Sequence, residues 1–256
     1  MDGAVNLREQ PDMKALLYVL ETNGLKKERQ EVETLVDYLE GMGNQFSQML
    51  GELQAVRGEL AKMQDKGIRA AVIRVVDSAE SKVKEILGKV SLIGKNLVHS
   101  AKNAVGAFKG KGVDALRKAV SAMKIPTVLS AMKDMLHGGA ESMNKNAEKT
   151  GMLAEELHKA RGHRKNIGRI LTGRQAEEPT ERAADRGILA KIQKAFLSCG
   201  KMYSIMEQKT EKALKWTEEF CRGTEKKPSV KSELKQIKDG KSEKRGIKPV
   251  TQEQAR

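Results

Sequence analysis

The sequence has few aromatic residues, few cysteines and few prolines. Aromatic side chains make up 3 % of the 256 residues, so a core must be aliphatic, with 12 methionines to fill its irregular gaps. Clusters of β-branched and aromatic residues bounded by turn signals are missing, which argues against strands. The two cysteines, Cys199 and Cys221, provide neither a disulfide framework nor zinc-ligand spacing. On a straight helix they lie about 33 Å apart at ~1.5 Å rise per residue, too far to bridge. No apolar run approaches the ~18–20 residues that span a bilayer. The opening MDGAVNLREQ lacks the basic-then-apolar pattern of a leader peptide. A cytoplasmic, reduced setting is the expectation.

Catalytic motifs are missing too. There is no HExxH, no GxxxxGK[ST] and no GxSxG. GKG at Gly110–Gly112 lies inside a helical pattern with no strand before it. None of His99, His137, His158 and His163 sits in a glycine-rich loop. Glu155 and His158 have the i, i+3 spacing used twice in di-iron bundles, but here it occurs once, with Asp134 and His137 a poor second. Cys199 falls on an apolar seam and reads as a buried structural thiol. The expectation is a non-enzyme with no catalytic, cofactor-binding or metal-ligating residues.

The sequence is instead rich in helix formers, with only 5 prolines. PDMKALLYVLETNG reads as a short helix with Pro11 in its first turn and Gly24 as its stop. Then Val32, Leu35, Leu39, Met42, Phe46, Met49, Leu53, Val56, Leu60 and Met63 alternate by three and four without a miss, a heptad seam. Val36 and Leu50 widen it, which favours a bundle over a two-helix seam. Gly41, Gly43, Gly51 and Gly58 fall off the seam, each costing ~1 kcal/mol of helix propensity relative to alanine. Gly67 is a candidate end, and a continuous helix through it is the alternative.

The third segment runs from Ile68 to about Ile125. Its seam is Ile68, Val72, Val75, Ala79, Val83, Ile86, Val90, Ile93, Leu97, Ala101, Ala104 and Phe108, and Pro126 marks a kink or break. A poorer seam follows: Leu129, Met132, Leu136, Met143, Leu153, Leu157, Ile167 and Leu171, with Gly139, Asn146, Thr150 and Arg164 among its intervening positions. His137–Gly139 is a candidate bend, and Thr172–Gly187 reads as a solvated linker. A last helix, from about Asp185 to Cys221, has the seam Ile192, Phe196, Cys199, Tyr203, Met206, Thr210, Ala213, Thr217 and Phe220.

The expected fold is all-α: an elongated bundle of long, mostly antiparallel, coiled-coil-like helices with a disordered basic C-terminal tail. Its divisions are a short N-terminal helix and turn (1–25), a long-helix bundle (26–173), a linker (174–186), a C-terminal long helix packing on the bundle (187–222) and the tail (223–256).

The net charge of +14 is unevenly placed. Residues 1–66 hold 8 basic and 12 acidic side chains, whereas residues 67–137 hold 13 and 5. Such a balance favours an acidic partner, or an acidic first quarter that packs on the basic remainder. On a wheel of ~100° per residue, Ile93, Leu97, Ala101, Ala104, Phe108, Gly112 and Ala115 cluster. Lys84, Lys95, Lys102, Lys109, Arg117 and Lys124 lie largely opposite, forming a cationic ridge. The apolar face is mostly alanine and glycine, which suits a neighbouring helix better than a bilayer. A second basic group, Arg161, Arg164, Lys165, Arg169 and Arg174, crowds one helix end. Its cations suit the helix dipole or phosphate contact. Without aromatics for base stacking, nucleic-acid binding would be directed to the backbone and sensitive to salt. Acidic protein or nucleic acid is the expected partner, ahead of a membrane surface. Self-association through the seams is a further option, with Glu52 and Arg57 placed for inter-helix pairing.

Four blocks carry a family resemblance: TNGLKKERQEVETLVDYLEGM, HSAKNAVGAFKGKGVDALRKAVSAMKIP, ELHKARGHRKNIGRILTGR and ADRGILAKIQKAF. In order and content the chain resembles an uncharacterised family of helical bacterial proteins, a domain of unknown function associated with integrative and conjugative elements. The resemblance covers most of the chain. It implies a mobile-element accessory protein of unknown activity and supplies no catalytic residues.

Overall fold

The computed structural model describes residues 6–178 and 187–224, with side chains to 217. The described residues are all helix and loop, with no strand. The helices are α1 (Pro11–Thr22), α2 (Lys26–Leu60), α3 (Lys66–Lys111), α4 (Val113–Ser121), α5 (Ile125–Leu171) and α6 (Ile188–Thr224). Two compact units divide the chain, Met1–Lys215 and Trp216–Arg256. The described part of the second is the final stretch of α6. Of the expected disordered tail (223–256), Gly223 and Thr224 belong to α6, and residues 225–256 and linker residues 179–186 lie outside the described residues.

α1 buries Met13, Leu16 and Leu20, and Gly24 turns the chain at φ +69°. In α2 the seam positions from Val32 to Leu60 are all buried, together with Val36. Gly43 is buried as well, although it lies off the seam. α2 stops at Leu60 rather than at Gly67, and Met63 falls in the turn. The stop is set downstream: the Asp65 carboxylate accepts the N–H groups of Gly67 and Ile68, capping α3. Gly67 is thus the second residue of α3. The short turn folds α2 and α3 into an antiparallel hairpin, in which Arg57 meets Asp77.

α3 follows its expected seam from Val72 to Ala104 with two shifts of one position, and the seam's ends, Ile68 and Phe108, are half-buried. Val76 is buried in place of Val75, and Gly94 in place of Ile93. Gly94 is inward because Leu7 packs on it; a methyl group there would lie 3.2 Å from Leu7 Cδ2. The expected single helix to Ile125 is two helices. Gly112, at φ +75°, ends α3 and starts α4, which turns back onto α3 and buries Leu116 and Val120. The break before Pro126 falls at Lys124, whose φ of +48° is the left-handed conformation. Pro126 itself sits in the first turn of α5, where its missing N–H costs nothing.

α5 runs unbroken from Ile125 to Leu171, so His137–Gly139 is not a bend. Gly139 instead admits Tyr203 of α6: a methyl group there would lie 2.5 Å from Tyr203 Cε1. Tyr203 also meets Phe46 edge-on, ring centroids 5.7 Å apart. Of the seam read for α5, Leu129, Met132, Leu136 and Met143 are buried. Leu153 and Leu157 are half-buried, and Ile167 and Leu171 are exposed. The inward stripe continues on small residues, Ala140, Ala147, Thr150 and Ala154.

α6 follows its seam at every described position from Ile192 to Thr217; Phe220 lies beyond the described side chains. It runs antiparallel to α2: Lys191 pairs with Glu59 at 2.9 Å, Ser198 with Glu52 at 3.3 Å, and the Tyr38 hydroxyl donates to the Lys209 carbonyl. It is antiparallel to α5 as well, with Gln193 beside Gly151, Glu207 beside His137 and Glu211 beside Lys133.

Candidate cationic interface

Lys95, Lys102 and Lys109 recur every seventh residue of α3, so they stay near one face as it turns. All three are exposed, and none has an ion pair among the described residues. Lys124, at the left-handed turn before α5, is likewise exposed and unpaired. Arg117 of α4 is engaged: its Nε donates to Glu28 Oε1 of α2 at 3.2 Å. At that point the acidic first quarter packs on the basic remainder, and the Lys191–Glu59 pair is a second such contact.

The second basic group stands at the far end of α5. Arg161, Arg164, Lys165 and Arg174 are exposed and unpaired among the described residues. Arg169 is held by the chain as it leaves the helix. Its Nε donates to the Gln175 carbonyl at 3.0 Å and its Nη2 reaches Glu177. Asn166 fixes the same return, donating to the Glu177 carbonyl and accepting its N–H. The first residues of the linker, though exposed, are therefore bonded to α5.

The two groups do not form one patch. Because α5 is unbroken, Lys124 and Arg161 lie about 55 Å apart along its axis at ~1.5 Å per residue. A ligand bridging both would have to span that length.

Other polar features serve the packing. Glu80 lies 4 % exposed on the inward stripe of α3, four residues after Val76 and three before Val83. Its Oε2 sits 3.5 Å from Arg57 and 3.6 Å from Lys84, and Oε1 has no partner. Only the stripe spacing hints at this carboxylate in the sequence. Glu59, accepting from Lys62 and Lys191, is held far below the usual carboxylate range, at about 2. Cys199 is fully buried; burial, then the nearby Glu52 carboxylate, pushes its thiol up to about 12. A thiol so hard to ionise is a poor nucleophile. Among the described residues no three of His, Cys, Asp and Glu converge to hold a metal ion. His137 bonds instead to Glu207 across the α5–α6 contact at 3.1 Å. No helix among the described residues is long and apolar enough to cross a membrane.

No curated protein and no solved structure matches this chain. A family model matches it over residues 9–256, which includes every helix and both basic groups. The chain belongs to that family, a family of unknown function, DUF6674.

Proposed function

We propose that the protein is a non-catalytic helical binding protein that presents a cationic ridge to an acidic partner. The observation that carries this reading is the state of Lys95, Lys102 and Lys109. They are exposed and regularly spaced on a packed helix, and they lack the internal carboxylates that engage Arg117, Arg57 and Lys191. A ridge left without counter-charges on a rigid support is suited to recognising an anionic surface. The test is binding of an acidic polypeptide, poly-glutamate, to the full chain and to a variant with Lys95, Lys102 and Lys109 changed to Glu. The reading expects binding that weakens with salt and is lost in the variant. Equal binding by both would sink it.

A second reading is nonspecific binding to the nucleic-acid backbone. The free Arg161, Arg164, Lys165 and Arg174 at the end of α5 favour it. Titration with a duplex of about 30 base pairs should show log affinity falling with log salt, at about 0.9 per phosphate neutralised. Reversible association with an anionic membrane surface is the third reading. It is supported only by the cationic face of α3, whose apolar side packs within the protein. Self-association through the seams would be read by sedimentation.

The cellular setting belongs to the same proposal: an accessory protein of a mobile element, acting in the cytoplasm. The resemblance carried by the four sequence blocks supports it. Neighbouring genes for a relaxase and conjugation machinery are the expected finding, and a membrane-transport operon in their place would count against it.

A further inference from the structure

α2 and α3 run short of side chain along one edge of their contact, where Gly43 and Gly94 are buried and Gly88 and Ser91 are exposed. Gly43 and Ser47 of α2 and Gly88, Ser91 and Gly94 of α3 line one cavity of about 480 Å³. On α2 the two are four residues apart; on α3 the three are spaced by three. The α2 pair shares one face, whereas the α3 set turns from the exposed Gly88 and Ser91 to the buried Gly94. The seam residues beside them, Met42, Phe46 and Ile86, are buried, so the hollow lies next to the core rather than in it. Leu7 closes one end by packing on Gly94. At Gly88, by contrast, a methyl group would meet nothing within 4 Å.

The walls are partly aliphatic, with Leu39, Leu87, Val90 and Val98 among them, and Gln10, Glu40, Ser47, Lys84, Ser91 and Lys95 supply the polar groups. Glu40 already accepts the Arg8 N–H at 2.9 Å, and Lys84 reaches Glu80 at 3.6 Å. Lys95 has no ion pair, and the Ser91 hydroxyl makes no hydrogen bond among the described residues. A largely apolar hollow of this size, within the ~300–1,000 Å³ of small-molecule sites, with a few convergent polar groups, has the form of a ligand site.

We infer that this cavity binds an amphipathic monoanion, an aliphatic chain ending in a carboxylate. The chain lies over Gly88 among Leu39, Leu87 and Val98. The carboxylate accepts from Lys95 Nζ and Ser91 Oγ. The site shares Lys95 with the proposed ridge but does not depend on the ridge's acidic partner, because Lys102 and Lys109 do not line it.

The probes are decanoate, kept below micelle formation, and 1-decanol, titrated calorimetrically into the full chain. Decanoate should saturate at one equivalent. Gly88→Leu places a side chain in the hollow, and its Cβ meets no other atom, so it should weaken both ligands by roughly tenfold or more without lowering the melting temperature. Lys95→Gln should weaken decanoate by about threefold to fivefold and leave decanol unchanged. Lys102→Glu with Lys109→Glu should leave decanoate binding intact while impairing poly-glutamate binding, which separates this site from the ridge. If Gly88→Leu melts early, Ser91→Val blocks the same hollow from the next turn. Failure of the wild type to saturate with decanoate, or wild-type affinity in the blocked variants, overturns the inference.

Discussion

α5 is one helix in two environments. Between Leu129 and Ala154 its inward positions are buried at regular steps. From Glu155 to Leu171 no residue is buried, and Ile167, Ile170 and Leu171 are 59 %, 61 % and 82 % exposed. The second half does not lack large apolar residues; they fall at the wrong angle. Continued by threes and fours from Met143, the inward stripe reads Ala147, Thr150, Ala154, His158, Arg161 and Lys165. It turns cationic just where burial ends. On a wheel of ~100° per residue, Ile167 lies about 120° from Arg161, on another side of the helix. A helix packs when its apolar residues keep phase with its neighbours, and composition alone does not ensure that.

This contrast can be tested by unequal mutational costs. Leu136→Ala in the packed half should lose about 2–5 kcal/mol in chemical denaturation, whereas Leu171→Ala should stay within about 0.5 kcal/mol. Comparable losses at both positions would remove the distinction. Gly139→Ala should cost about 1–3 kcal/mol, because the new methyl group overlaps the Tyr203 ring.

Cys199, on the α6 seam, tests the packing through pH. Its thiol titrates at about 12 in the folded chain, above its usual value of 9.0. Below that usual value both states are protonated. Above it only the unfolded chain ionises, so this group's contribution is lost as pH rises towards 12. The stability advantage of wild type over Cys199→Ala should therefore shrink as pH rises above about 9 towards about 12. A constant difference would show that the thiol is not desolvated.

The last effect, local to the helix, is expected in the unpacked half. Gly168 has open space around it, so Gly168→Ala should strengthen the local helix by about 1 kcal/mol. Slower amide exchange confined to residues 155–171, with an unchanged global midpoint, is the expected readout.

Constant phase separates what the sequence discloses from what it hides. The seam from Val32 to Leu60 and the seam of α6 were legible because each keeps one apolar stripe in constant phase. α3 departs from its expected seam at Val76, buried in place of Val75, and at Gly94, a glycine that takes the inward position periodicity assigns to Ile93. In α5 the seam holds through Gly139 and Thr150, both buried; beyond them the large apolar residues Ile167 and Leu171 lie on another face, while the inward stripe ends on Ala154. Gly112 looked like one small residue among several; its positive φ follows from α4 folding back. The exposure of Lys95, Lys102 and Lys109 followed from their spacing. The capture of Arg117 by Glu28 and of Arg169 by the returning chain needed contacts that no local pattern encodes. The cavity over Gly88 was hidden for a related reason: it depends on small residues of two helices lying beside one another.

The notch at Gly139 has a consequence for specification. A seam repeating every seven residues is nearly degenerate under sliding, since displacement by one repeat again brings apolar rows together. Tyr203 seated on Gly139 is aperiodic, as is Asn144 against Gly200, where a methyl group would lie 2.6 Å from the side-chain oxygen. One key projects from α6 and the other from α5, so sliding by one repeat would unseat both together. Two missing β-carbons thus act as index marks, selecting a single alignment from a ladder of similar ones.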